Sequence, residues 1–228
     1  MPYTQTSQVK TILHQGKKMR LLVTAGPTIE KIDPVRYISN FSSGKMGYAI
    51  AEAGREMNID VTLISGPVSL PAPCGIKLIK VENASEMAAE TKRIFPDSDI
   101  TIMAAAVADY RPVLQAPQKM KKESVSLIIE LEKTEDILAS LGAMKKPGQV
   151  LVGFAAETEN LLENAHAKLV RKNLDWIAAN DVSGNETGFG SDLNAVTLIS
   201  RNGTILEIPA APKIEVARLI LKEILSAS

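Results

Sequence analysis

Short apolar runs rich in β-branched residues alternate along the chain with stretches whose apolar positions recur every three or four residues. That alternation is the signature of parallel strands joined by crossover helices. RLLVTA at 20–25 predicts a first strand. A helix is predicted over 45–57, with Met46, Ala49, Ile50, Ala53 and Met57 on one face, followed by a strand, VTLIS at 61–65, which Gly66 and Pro67 stop. The same reading places strands at 76–81, 100–105, 149–154 and 176–179, with helices over 84–95, 135–142, 158–172 and 213–225.

Two stretches interrupt this rhythm. One is VSLIIEL at 125–131, and the other is a pair of apolar runs, 195–200 and 205–208, joined by Arg201, Asn202 and Gly203. Asn-Gly between apolar runs is a hairpin signal. Neither stretch can be a parallel crossover, so both are expected on a small antiparallel extension that offers a surface for dimerisation. The fold class expected is α/β, a Rossmann-like three-layer fold with a mostly parallel sheet and that extension. Residues 1–18 are polar and basic and read as a leader or linker, leaving 19–228 as one domain.

Charge and cysteine content narrow the partners. Lys plus Arg equals Asp plus Glu at 26 each, so the excess of positive charge that phosphate-backbone binding requires is missing and nucleic acid is not expected as a partner. No window reaches the roughly 18 apolar residues of a membrane span. The single cysteine, Cys74, excludes an intramolecular disulfide framework and fits a reducing cytoplasm.

The candidate chemistry lies after the first and fourth strands. A long polar connection, GPTIEKIDPVRYISNFSSGK at 26–45, follows the first strand, at the end of the sheet where open parallel sheets bind ligands. Gly26 allows close backbone approach, and Ser42, Ser43 and Gly44 precede a helix whose first N–H groups attract a phosphate or carboxylate; the competing reading of the serines is that they merely cap the helix. Met46 after Gly44-Lys45, and Ser39 where a first glycine is needed, exclude a Walker motif. The glycines between 26 and 47 also fail the G-x-G-x-x-G spacing. After the fourth strand, Ala104, Ala105, Ala106, Val107 and Ala108 leave room for a flat ring or ribose, and Asp109 offers an acceptor. Lys119, Lys121 and Lys122 could neutralise a triphosphate, a solvated basic turn being the competing reading, and Lys168 and Lys172 share a helix face that could contact phosphates or simply face solvent. His14 and His166 lack ligand spacing, and neither is assigned a role.

The segments VTAGPT, DPVRYISNFSSGKMG, AAAVADYRP, QKMKK, VGFAAET, KLVRKNLD and NDV resemble, in order and spacing, phosphopantothenoylcysteine synthetase. The likeness is greatest to the synthetase half of bifunctional bacterial proteins that also carry a flavin-dependent decarboxylase, and it covers about residues 19 to 226. It implies a ligase of coenzyme A biosynthesis in which the carboxylate of 4′-phosphopantothenate attacks the α-phosphate of CTP, and the cysteine amine then displaces CMP from the acyl-cytidylate. By that resemblance Asn40 would hold the acyl-cytidylate for amine attack, Lys119 would stabilise charge in cytidylyl transfer, and Arg36 would support the same intermediate. Gly26, Ala105, Asp109, Lys119, Phe154, Lys168 and Lys172 would line the nucleotide site, and Asn40, Ser42, Ser43 and Gly44 the substrate site, with Gly26 and Ser43 near phosphate. Mg²⁺ would be held mostly by the triphosphate, no flavin is expected in this chain, and the chain would form a homodimer and associate, covalently or not, with a decarboxylase.

Two rival readings share the same sheet. An NAD(P)-dependent oxidoreductase is disfavoured by the missing glycine fingerprint, and a non-catalytic nucleotide-binding module would release no pyrophosphate. Residue chemistry alone does not choose CTP over ATP.

Overall fold

The computed structural model describes residues 13–14, 17–121, 127–157, 161–181 and 190–227. In chain order the elements are β1 Leu13–His14, β2 Lys17–Lys18, β3 Arg20–Ala25, β4 Ile29–Asp33, β5 Arg36–Ser39, α1 Lys45–Glu56, β6 Asp60–Ser65, β7 Lys77–Lys80, α2 Ala84–Ile94 and β8 Ile100–Met103. They continue with β9 Tyr110–Pro112, β10 Leu131–Lys133, α3 Ile137–Met144, β11 Val150–Glu157, α4 Leu161–Arg171, β12 Trp176–Asp181, β13 Leu193–Ser200, β14 Ile205–Pro212 and α5 Lys213–Ser226.

Eight strands form the central sheet in the order β14-β13-β12-β11-β8-β3-β6-β7. From β7 to β12 every pairing is parallel, and the strand order reverses direction between β3 and β8, the topological switch point of a doubly wound sheet. The central strand β3 is buried on both faces because its side chains alternate between two cores. Leu21, Val23 and Ala25 join Ile50, Ala53, Val216 and Ile220 under α1 and α5. Leu22 faces the other way, with Ile64, Met87, Leu141, Leu151 and Leu169 under α2, α3 and α4. The result is the three-layer α/β arrangement that the alternating pattern predicts.

The Asn-Gly hairpin forms as expected, and it extends the main sheet directly, β13 pairing antiparallel with β12 and β14 with β13. The isolated strand is a different matter. Residues 122–126 lie outside the described part, 127–130 have no regular structure, and the strand that does form, β10, pairs with β9 in a separate two-stranded ribbon. Of the expected leader, Leu13–His14 and Lys17–Lys18 contribute a short antiparallel pairing, β1 with β2. The sheet's two edges are β7, which exposes Lys77 and Lys80, and β14, which contains Pro209 and Pro212.

The polar connection after β3 hides an element the apolar pattern does not report. β4 and β5 form an antiparallel hairpin that turns at Pro34 and Val35. Asp33 sits where its carboxylate accepts from the Val35 and Arg36 amides, both at 2.9 Å, and Pro34 supplies a fixed φ at the next position. The hairpin is tied down through buried Glu30, which accepts from the Ala84 amide at 2.8 Å, and through the Ile29 amide, which donates to Glu82.

Candidate functional site

Loops from the two sides of the switch point are stitched together at the carboxyl ends of β3 and β8. Pro27 and Ala106 form an isolated parallel bridge, the Ala106 amide donates to Gly26, and the Thr28 hydroxyl accepts from the Ala108 amide at 2.9 Å. Between these loops opens a cleft of about 530 Å³. Asn40, Ser42, Ser43, Gly44, Ala105, Asp109, Phe154 and Lys168 line it. These eight of the expected site residues come from four separate segments. Gly26 lies beneath this wall, its Cα 3.4 Å from where a Cβ on Gly44 would stand.

The first turn of α1 opens into the cleft. The capping position is Gly44, at φ 75°, and no side chain caps the helix. The competing reading, that Ser42 or Ser43 caps the helix, does not hold: the Ser42 hydroxyl accepts from the Gly44 amide at 3.3 Å, and the first turn of α1 from Lys45 to Gly47 lines the cleft. Glycine is needed there, since a side chain would be strained at that φ and its Cβ would lie 2.8 Å from Val68.

Asn40 stands at the junction of the loops. Its amide donates to the Val107 carbonyl at 2.9 Å and, more weakly, to Ala106 at 3.4 Å. The side chain is thus held in place by the loop after β8, with one long hydrogen bond that a ligand can replace.

Several lining residues were not among the expected site residues. Lys45 bonds Asp192 at 2.7 Å, and the Lys213 ammonium donates to the Leu193 carbonyl at 2.8 Å. Burial, and the neighbouring Lys45 charge, push the Lys213 ammonium below the usual lysine value against the pull of Asp192. Asn180 and Asn194 also line the cleft, and their side-chain oxygens have no hydrogen-bond partner among the described residues. Asn180 lies near the carboxyl end of β12, so the rule that flagged 26–45 could have found it. Lys213 and Asn194 are brought in only by the antiparallel hairpin.

A second cleft, about 620 Å³, shares the wall formed by Ala105, Val107, Asp109 and Phe154. Lys172 lines this one, so the two lysines of one helix face serve different clefts. Its ammonium bonds Asp136 at 2.9 Å, and Asp136 in turn caps α3 by accepting from Ala139 at 3.0 Å. Burial pushes the Asp136 carboxyl up, but Lys172 and the Ala139 amide outweigh it and leave its pKa below the ordinary value.

Arg36 and Lys119 line none of these clefts. Arg36 grips Asp33 through Nε at 2.9 Å and through its terminal nitrogen, and it also donates to the Met120 carbonyl at 2.9 Å. Chiefly because of that guanidinium, and despite burial, the Asp33 carboxyl lies far below the usual carboxylate range. Lys119 is exposed beside the anchored Met120; Lys122 lies outside the described residues. Among the described residues there is no group of three His, Cys, Asp or Glu able to hold a metal, and no helix is long and apolar enough to cross a membrane.

Fold and cleft together define a doubly wound α/β protein with a cleft at its switch point, onto which the first turn of α1 opens. The chain belongs to the family described as the DNA/pantothenate metabolism flavoprotein C-terminal domain, whose model matches residues 15–227. It is 48% identical over 215 residues to the coenzyme A biosynthesis bifunctional protein CoaBC of Bacillus subtilis (strain 168), covering 94% of this chain and 52% of that protein. It is 47% identical over 208 residues to a cysteine/cysteine sulfinic acid decarboxylase from an unknown prokaryotic organism, covering 91% of this chain and 58% of the other. The crystal structure of the C-terminal domain of a CoaBC protein superimposes with a TM-score of 0.78 at 45% identity, covering 92% of this chain and 95% of that one. The chain thus spans little more than half the length of these curated relatives, and the resemblance carried by its motif blocks holds at the level of family.

Proposed function

We propose that this chain is the ligase domain that joins 4′-phosphopantothenate to cysteine in coenzyme A biosynthesis, with CTP as the activating nucleotide. The observation that carries the reading is the convergence of Asn40, the uncapped first turn of α1 and the small-residue wall after β8 in one cleft at the switch point. The likeness to the C-terminal domain of CoaBC over nearly its whole length supports the same choice.

A carboxylate is a poor electrophile until it carries a leaving group. In the first step a carboxylate oxygen attacks the α-phosphorus of CTP, and the bond to pyrophosphate breaks. In the second, the cysteine nitrogen attacks the acyl carbon, CMP departs, and the amine gives up a proton. The α1 N-terminus with Ser43, Gly44 and Lys168 suits the phosphates. Ala105 and Phe154 flank the ring, and Asp109 takes ribose hydroxyls. Asn40, held by the Ala106 and Val107 carbonyls, would offer its amide to the acyl-cytidylate intermediate. Lys119 neutralises charge during nucleotidyl transfer. Mg²⁺ would screen charge on the triphosphate; among the described residues lining the first cleft Asp109 is the one carboxylate, which fits an ion held chiefly by phosphate oxygens.

The assembly proposed is a homodimer. Val35, Tyr37, Leu114 and Ile128 cluster on the β4–β5 hairpin, the β9–β10 ribbon and the chain adjoining them, and Ile128 is 92% exposed. A run of exposed apolar side chains on neighbouring elements is a contact surface. Association with a flavin-dependent decarboxylase, in the same chain or another, is proposed from the two-part relatives.

The test is pyrophosphate release by the purified chain with 4′-phosphopantothenate and Mg²⁺, comparing CTP with ATP, with and without cysteine. Release with CTP, and amide only when cysteine is present, is expected. No release with either nucleotide would overturn the reading.

A further inference from the structure

The Asp33–Arg36 pair does more than close a turn. Met120 is 84 residues from Arg36 in sequence, yet both of its backbone groups are held by this pair: its amide donates to Asp33 Oδ2 at 3.1 Å and its carbonyl accepts from Arg36 at 2.9 Å. A second tie lies four residues earlier, where the Ala116 amide donates to Ile32 at 2.9 Å. The Asp33 side chain is wholly buried and the hairpin beneath it is fastened to α2, so the anchor is rigid. Lys119 and Lys121, on either side of Met120, are both exposed. The loop is therefore gripped by its backbone between two lysines whose ammonium groups point outward.

We propose that Asp33 and Arg36 act as a positioning pair that fixes the Lys119–Lys121 segment through the Met120 backbone, so that the approach of these lysines to an anionic substrate is set by the hairpin. The catalytic half of the inference rests on the ligase reading; the structural half does not. Because Asp33 bonds to both the turn and the loop, a purely local role in the turn must be told apart from one exerted on the loop.

Limited trypsin digestion of the whole chain under native conditions does so. Cleavage after Lys119 and Lys121 should be slow in the native chain and about tenfold faster in Asp33→Asn and in Arg36→Lys, which keeps the charge but loses the fork. Cleavage after Lys31 and after residue 36 should not change. In the ligase assay the same variants should release pyrophosphate about tenfold more slowly with nucleotide affinity unaltered, and adding Lys119→Ala should cost no more than Lys119→Ala alone, because the pair acts through that residue. Equal cleavage in native and variant chains, new cleavage confined to the hairpin, or additive losses in the double variant would each overturn the proposal. If the native chain releases no pyrophosphate, the ligase reading falls and the cleavage pattern alone decides the pair.

Discussion

The two clefts share a wall and differ in what their charges are doing. In the second, Lys172 is only 17% exposed and neutralises the carboxylate that caps α3, while Glu135 is held by Lys92 and Ser140. Those ions are spent on holding α3 and α4 in place. In the first cleft the α1 N-terminus has no side-chain cap, and the partner of Lys45, Asp192, is 88% exposed, so water competes for that pair and a phosphate can displace it. A positive group marks a ligand site only when the fold has not already committed it. Lys168 and Lys172, which sequence spacing treats as equivalent, are separated by the cleft that each lines.

The comparison can be broken in several ways. The largest effect is expected at Asn40 in the first cleft. Asn40→Ala should lower amide formation by about 100- to 1,000-fold, the scale of losing a donor to a developing charge, while pyrophosphate release persists. Product at the native rate would remove Asn40 from the chemistry. Gly44→Ala should weaken nucleotide binding at least about tenfold, measured by calorimetry, because the α1 N-terminus would have to shift to relieve the strained φ. Lys172→Met should leave nucleotide affinity within about twofold and lower stability by less than about 1 kcal/mol in denaturant titration, since Asp136 is half exposed. An affinity loss as large as that of Gly44→Ala would make the two clefts one site.

The smallest effect is a pH dependence. The Asp136 carboxyl has a lowered pKa in the folded chain, so its contribution is fully present above the unfolded value of about 4 and is lost as pH falls through the lower folded value. The stability difference between native chain and Asp136→Asn should therefore shrink on acidification below about pH 4. A difference that grew instead would mean that burial, and not Lys172, governs the group.

The parallel sheet was legible because strands buried on both faces read as nearly continuous apolar runs, as Leu21, Leu22 and Val23 do. The β4–β5 hairpin was not, since its strands carry Glu30, Lys31, Asp33 and Arg36 and lean on polar anchors. Asp33-Pro34 is the available turn signal, and it sits among polar residues with no flanking apolar runs to mark it as a bend. The position of the cleft was legible from the switch-point rule. The engagement of Arg36 with the Met120 backbone was not, because no periodicity links a hairpin to a loop 84 residues away.

The edges of the main sheet bear on how copies of this chain can meet. β7 presents Lys77 and Lys80, and β14 interrupts its outer ladder with Pro209 and Pro212. A strand that is charged, or that lacks amide donors, is a poor template for adding another strand. Edge-to-edge growth of the sheet is thereby discouraged at both ends. Concentrated solutions of this domain should resist fibrous aggregation, and a second copy is left to approach through side chains on the face of the molecule.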